Sequence, residues 1–572
     1  MIGNKDKSSH KWIHPNGVKF LIIALLVLGV FFRFVNLDKK VYWGDEVFTS
    51  LRIAGYTLTE ATQELFNNKP KTLAELHQYQ QPRPDKGITD TIKSLAAEDS
   101  QHPPLYYIIA HYWEKLFGSE LAVKRSLPAL ISLLAFPGIY FLCWELFNSP
   151  MVGWVAVTIV AVSPFHVLYA QEVREYSLWT VTILLSSWLL LRAMRLNTKF
   201  SWIIYAASLP LLLYTYLFSI LIAIGQAIYV FVSEGWRWHK KQIAFLFASS
   251  FGLLTFTPWL WIVVNSLSSI QSTTSQFAEK VDLRSLLQIW SFNLSRVFID
   301  LDSQGKVVNF GNPIAVVIRV AVILSIAILV GYSIYFICDR TPKRVWLFIL
   351  TLMGVTGLAL ILPDLIVGGI RSGVPRYLVP CYLGIQLAVA YTIFMMCYAE
   401  IFPHTSYGNT GFDSGGIFSL GINSKKFSHL WRSIALAMLS VGVLSCTISS
   451  QAESWWNKYG SYYNPEVARI INQHKSPLVI SSGYVPRVLS LSYFLQPEVK
   501  IQFIPQANIS QIPPGFTEVF LYRPSAEKLK YRRWQQLNYK IETVYRSPPI
   551  YDYLEPISRH SDIWIWKLTK RS

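Results

Sequence analysis

Long apolar runs recur along the chain, and a run of about 20 mostly apolar residues is long enough to cross a bilayer as a helix. Eleven such runs begin near Phe20, Ser126, Met151, Tyr176, Ser201, Ile220, Ile243, Pro313, Val345, Tyr377 and Ser433. The two on either side of Ser219 are short and can also be read as one bent element. One further stretch, PPLYYIIAHYWEKLFG (103–118), is apolar but short, opens on two prolines and carries His111, Glu114 and Lys115. After about residue 451 the pattern changes to short alternations. PLVISS, VKIQFIP, TEVFLY and DIWIWKLT read as strands, whereas YVPRVLSLSYFL and SAEKLKYRRWQQL read as helices. The pattern predicts a mainly α protein with three parts: an N-terminal segment 1–19, a polytopic membrane helix bundle of about 11 spans over 20–450, and a small α/β domain outside the membrane over 451–572.

Composition agrees with a membrane protein. Only 15% of the 572 residues are charged, against about 25% in an average soluble domain. The net charge of +18 does not point to nucleic acid, because many of the basic residues lie in short loops between apolar runs, where they set orientation. Lys5, Lys7, Lys11 and Lys19 share a side with the clusters Arg192/Arg195/Lys199, Arg237/Lys240/Lys241, Arg340/Lys343/Arg344 and Lys425/Lys426/Arg432 only if 103–118 lies flat on the membrane surface. A spanning 103–118 would turn every later cluster outward, so a flat amphipathic helix is expected. Lys39 and Lys40 then stay on the outer side, against the rule. No small-residue cleavage site follows FFRFVNL, so the first span is read as retained. The expected location is a plasma (inner) membrane, crossed many times. The five cysteines sit in or at the ends of apolar stretches with no metal-site spacing, which suits small buried hydrophobes.

With this orientation the outer face collects the loop 38–125, the turn YAQEVREYS (169–177), the loop 265–312, the turn PDLIVGGIRSGVPRY (363–377) and the tail. The inner loop 399–431, with SYGNTGFDSGG, reads as a flexible connector. Asp45 and Glu46 suit either the cap of a helix starting at Val47 or an acid–base role. His102 precedes two prolines, which hold its backbone extended; it belongs to a plain loop-to-helix junction or is aimed at a ligand. Glu172, Arg174 and Glu175 crowd one tight turn. Arg371 and Arg376 stand at the mouth of a span, placed to snorkel toward headgroups or to bind phosphate oxygens. Together these residues suit a substrate that is part lipid and part polar, with an anionic junction at the interface.

In this order the motifs WGDE (43–46), HPPLYY (102–107), RSLPAL (125–130), SPFHVLYAQEVREYSL (163–178), TPW (257–259) and RYLVP (376–380) resemble those of membrane glycosyltransferases with the GT-C fold. The nearest groups are the protein O-mannosyltransferases and aminoarabinose transferases, families 39 and 83, and the likeness covers roughly residues 20–450. It implies inverting transfer of a sugar from a polyprenyl-phosphate donor to a hydroxyl of a lipid, glycan or protein, on the non-cytoplasmic face. By that resemblance Asp45 is the general base, accompanied by Glu46 and Glu172, while His102, Arg174, Arg371, Arg376 and Tyr377 hold the donor phosphate. Many relatives carry a histidine where this chain has Tyr216, so no metal ligands are assigned, and a divalent metal stays open as a cofactor. A transporter or flippase of polyprenyl-linked sugars is the alternative. It would want polar residues at mid-span and repeated halves, whereas the charges here gather at one face and no internal repeat is visible.

Overall fold

A computed structural model describes residues 15–235, 238–301, 313–398, 424–505, 512–516, 518–523, 538–547 and 564–570. Among these, eight helices are long and apolar enough to cross a membrane: Gly17–Phe34, Leu121–Phe147, Tyr176–Leu196, Lys240–Asn265, Val316–Arg340, Lys343–Ile366, Pro375–Cys397 and Lys426–Ser461. The pair Pro150–Ala161 and Pro164–Ala170, bent by 62° at its junction, makes a ninth if it counts as one span. Lys199–Leu213 and Ser219–Glu234 are shorter apolar helices, and they occupy the two runs that flank Ser219. The chain turns between them over Tyr214–Phe218, so these are two elements and not one. The stretch 103–118 forms a helix of only 13 residues, Leu105–Phe117. The connector SYGNTGFDSGG and the expected helix SAEKLKYRRWQQL lie outside the described residues.

The bend at 162–163 shows how a charge is tolerated inside the bundle. Pro164 has no N–H, so the helix Pro150–Ala161 ends with carbonyls that lack intrahelical partners. Buried Arg33 supplies them: Nη1 donates to Ala161 O at 2.7 Å and Nη2 to Val160 O at 3.2 Å. It donates further to Gly29 O and to Ser132 Oγ. The approach of the two helices needs glycine, because a Cβ at Gly29 would lie 2.7 Å from Ala161 O.

The tail builds five strands of a six-stranded sheet in the order β1-β3-β2-β4-β6-β5. Its strands are β1 (Pro70–Lys71), β2 (Pro477–Ser481), β3 (Lys500–Phe503), β4 (Glu518–Tyr522), β5 (Tyr539–Arg546) and β6 (Trp564–Lys570). β2 pairs in parallel with both β3 and β4, and the remaining pairs are antiparallel. β2, β3, β4 and β6 fall on the four predicted runs, and helix Val485–Ser492 on the predicted YVPRVLSLSYFL. β5 and β1 were not anticipated. β5 is largely exposed and lacks a buried alternation, and β1 is a two-residue edge strand that begins with proline.

β1 comes from the loop 38–125, with Pro70 opposite Gln502 and Lys71 opposite Ile501. Residues 59–100 of this loop are therefore tied to the tail. The loop's helices Leu58–Leu65 and Leu73–His77 start with reciprocal capping boxes, Thr57 with Glu60 and Thr72 with Glu75. His77 stacks on Tyr493 of the tail at 4.5 Å, and its Nε2 lies 2.9 Å from Ser492 Oγ. One continuous core runs from Tyr42 through the bundle to Phe503 and Tyr522.

Replacing Gly29 by valine forces its helix away from Ala161 and breaks the Arg33 bonds at the bend. A thermal melt in detergent should show a loss of about 1–3 kcal/mol, the usual cost of overpacking. An unchanged melt would mean that the close approach is not needed.

Candidate active site

The site rests on a buried charge network. Helix Gly44–Ile53 begins just after Trp43, with Asp45 and Glu46 in its first turn, where acids are favoured. Glu46 is fully buried, and Arg125 meets it with two parallel bonds, Nε to Oε1 and Nη2 to Oε2, both 2.8 Å. The other donors of Arg125 go to the carbonyls of Leu37, Lys40 and Val41, so all five of its N–H groups are used. Val173 N donates to Glu46 Oε1 at 3.1 Å, and Lys458 Nζ lies 3.3 Å from Oε2. Lys458 also donates to Glu172 Oε1 at 2.8 Å, which Asn457 shares. Burial alone would raise the Glu46 carboxyl, but Arg125 and Lys458 outweigh it and hold it below the ordinary range. Glu172 moves the other way: burial and the neighbouring Glu46 charge raise it against the pull of Lys458.

Next to this network lie Asp45 and His102, which are partly exposed, and Arg174 and Arg376, which are buried. Asp45 is partly exposed, and its Oδ2 is 3.3 Å from Arg376 Nη2. Arg174 donates to Thr49 Oγ1 at 3.0 Å and approaches Asp45 O at 3.5 Å, while its Nη2 is 3.3 Å from His102 Nε2. His102 Nδ1 is 2.8 Å from Glu175 Oε1. Burial opposes ionisation of Glu175, yet Arg174 and His102 bring its carboxyl down to about 2. His102 is placed from several directions. Its N–H donates to Asp99 O, Asp99 is paired with Arg52 at 2.6 Å, and Trp259 Nε1 donates to Ser100 O. That last bond gives the TPW motif a physical reason.

The structure thus brings Asp45, His102, Arg174 and Arg376 together. Tyr377 lies beside them, its ring 5.4 Å from the Arg376 guanidinium and 5.0 Å from Phe218. Glu46 and Glu172 sit beneath, and their engagement with Arg125 and Lys458 suits positioning better than contact with substrate. Arg371 stands apart, paired at 3.1 Å with Asp364, whose other oxygen caps Ser372. Tyr216 is buried among Trp179, Tyr176, His102 and Tyr377, so the place of the relatives' histidine is filled by an aromatic ring. Reading the sequence missed Glu175, Arg125, Lys458 and Tyr459. The first two were visible inside quoted motifs, but Lys458 lies 412 positions from Glu46 and carried no local signal.

No group of three or more His, Cys, Asp or Glu able to hold a metal occurs among the described residues. Each carboxylate of the cluster already faces a cation: Asp45 faces Arg376, Glu46 faces Arg125, and Glu175 faces Arg174.

Comparisons with known proteins agree with this architecture. The family model for dolichyl-phosphate-mannose-protein mannosyltransferase matches residues 101–262, a segment holding HPPLYY, RSLPAL, the 163–178 turn and TPW. The crystal structure of ArnT from Cupriavidus metallidurans bound to undecaprenyl phosphate shares the fold, with a TM-score of 0.50 at 12% identity over 97% of this chain and 98% of that one. Its apo structure aligns over the same shares with a TM-score of 0.47 at 13% identity. No curated protein matches the chain. The fold is of the GT-C type, that of multi-pass membrane glycosyltransferases, and the resemblance drawn from the motifs holds.

Replacing Lys458 by methionine leaves the buried Glu172 without its cation and takes one of two cations from Glu46. The variant should lose about 3–5 kcal/mol of stability, and adding Glu172→Gln should recover part of it in the same thermal assay. Additive losses in the double variant would contradict a shared network.

Proposed function

We propose that this chain transfers a sugar from a polyprenyl-phosphate donor to a hydroxyl acceptor, with inversion, at the non-cytoplasmic face of a plasma membrane. The observation that carries the reading is the convergence of one partly exposed carboxylate, Asp45, with Arg376, Arg174 and His102 at the ends of apolar helices. A lipid phosphate needs cations at that depth, and an acceptor hydroxyl needs a base. ArnT, which shares the fold, was crystallised with undecaprenyl phosphate, and that ligand class suits the cations here.

In the proposed step Asp45 accepts the proton of the acceptor hydroxyl as its oxygen attacks the anomeric carbon. The bond from that carbon to the phosphate oxygen breaks, and its electron pair leaves with the phosphate. The leaving group is already a stable anion and needs no proton; Arg376, Arg174 and His102 stabilise its growing charge. A single displacement inverts the anomeric centre. Glu46 and Glu172 take no part in bond making. They hold Lys458, Arg125 and the turn 172–175 so that Asp45 and Arg174 face each other. Arg371 is left outside the reacting set, since its partner Asp364 holds it elsewhere.

Asp45→Asn keeps the shape of the residue and removes the base. Transfer from a polyprenyl-phosphate sugar should fall by about 10²–10⁴-fold while thermal stability is kept. Wild-type rates in that variant would remove Asp45 from the chemistry. Movement of labelled donor across reconstituted vesicles without its consumption would favour the transporter instead.

A further inference from the structure

Two aromatic residues beside the cluster have no role in the step just described. Trp43 stands two positions before Asp45, and its ring meets that of Tyr459 at 5.5 Å. Both rings lie against the Arg376 guanidinium, at 5.6 and 5.9 Å. Trp43 is 5% exposed, and its indole N–H is buried with no hydrogen-bond partner among the described residues. A buried indole N–H without a partner is rare unless a ligand or water completes it.

Tyr459 is the second observation. Its backbone has φ 40° and ψ −125°, the region of the first central residue of a II′ turn, where glycine is at home and a Cβ is strained. Glycine is the easy residue for such a turn, and it occurs at the next position, Gly460. Lys458, locked to Glu46 and Glu172, holds the turn in place from the other side. The turn therefore keeps a strained aromatic residue directly against Arg376. Such an arrangement makes sense if the ring, not the backbone, is what the position supplies.

We propose that Trp43 and Tyr459 form the recognition surface for the donor's sugar ring, with Tyr459 packing on its C–H face and the Trp43 N–H donating to a ring hydroxyl. The inference rests on the functional reading above, which puts the phosphate at Arg376 and the acceptor proton at Asp45. The sugar must then lie beside that pair, and both rings lie against its Arg376 member, with Trp43 two residues before Asp45. An aromatic face carries negative charge density and suits the polarised C–H bonds of a pyranose. A single fixed N–H selects among sugars that differ in one hydroxyl, because an unmatched donor would stay buried and unpaired.

The test measures affinities of the full-length chain in nanodiscs for undecaprenyl phosphate and for its mannosyl, glucosyl and aminopentosyl derivatives. At least one sugar-bearing lipid should bind wild type about tenfold more tightly than the bare lipid. Tyr459→Phe should keep that ratio, Trp43→Phe should reduce it, and Tyr459→Gly should abolish it while the melting temperature holds or rises as strain is relieved. If Tyr459→Gly retains the ratio, the side chain does not read the sugar and the inference is overturned. The same follows if wild type binds the bare lipid but gains nothing from any sugar. Failure of wild type to bind any of the four lipids would instead bring down the functional reading beneath it.

Discussion

Arg125 uses all five of its donors on one neighbourhood, and the candidate site is organised around that fact. Its guanidinium joins the carbonyls of 37, 40 and 41 to the Glu46 carboxylate. Two buried anions and two buried cations then interlock: Glu46 with Arg125 and Lys458, and Lys458 with Glu172. Four distant stretches of chain meet here: the segment after the first span, the helix Leu121–Leu133, the turn 172–175 and the start of the tail. Any one charge alone would be costly to bury, and each is tolerated because the others are present.

This network also sorts the carboxylates. Glu46 and Glu172 are fully buried, whereas Asp45, one residue earlier on the same helix, keeps an exposed edge. Adjacent positions on a helix point about 100° apart, so a single turn presents one acid to the interior and the next to the opening. Of the acidic pair after the first span, Glu46 is thus held inside by Arg125 and Lys458, and Asp45 keeps a partly exposed carboxylate beside Arg376. The same economy appears at 172–175, where Glu172 grips Lys458, Val173 N grips Glu46, and Arg174 and Glu175 turn toward His102.

Much of this was legible beforehand because it is local. The apolar runs located the helices and the alternations located four of the six strands. The ordered motifs named Asp45, His102, Arg174 and Arg376, each at the end of an apolar helix. What escaped was long-range or came from weak patterns. Lys458 and Tyr459 sit in WNKYGS, a polar stretch with no periodicity, and their importance comes from contact with distant residues, for Lys458 with Glu46 412 and Glu172 286 positions earlier. Glu46 read as catalytic because it neighbours Asp45, and its burial could not be inferred without knowing where Arg125 lies. Arg371 looked equivalent to Arg376, yet the turn between them returns it to Asp364. β1 was hidden because two residues carry no pattern, although they tie the loop 38–125 to the tail.

The central claim is that His102, Arg174 and Arg376 surround the phosphate of a lipid carrier beside Asp45. A cryo-electron microscopy structure of the chain with undecaprenyl phosphate tests it most directly. The account predicts phosphate oxygens within about 2.7–2.9 Å of guanidinium nitrogens of Arg174 or Arg376, with Asp45 free to face the opening. A phosphate bound at the other end of the helices, or on this face out of reach of both arginines, would contradict it.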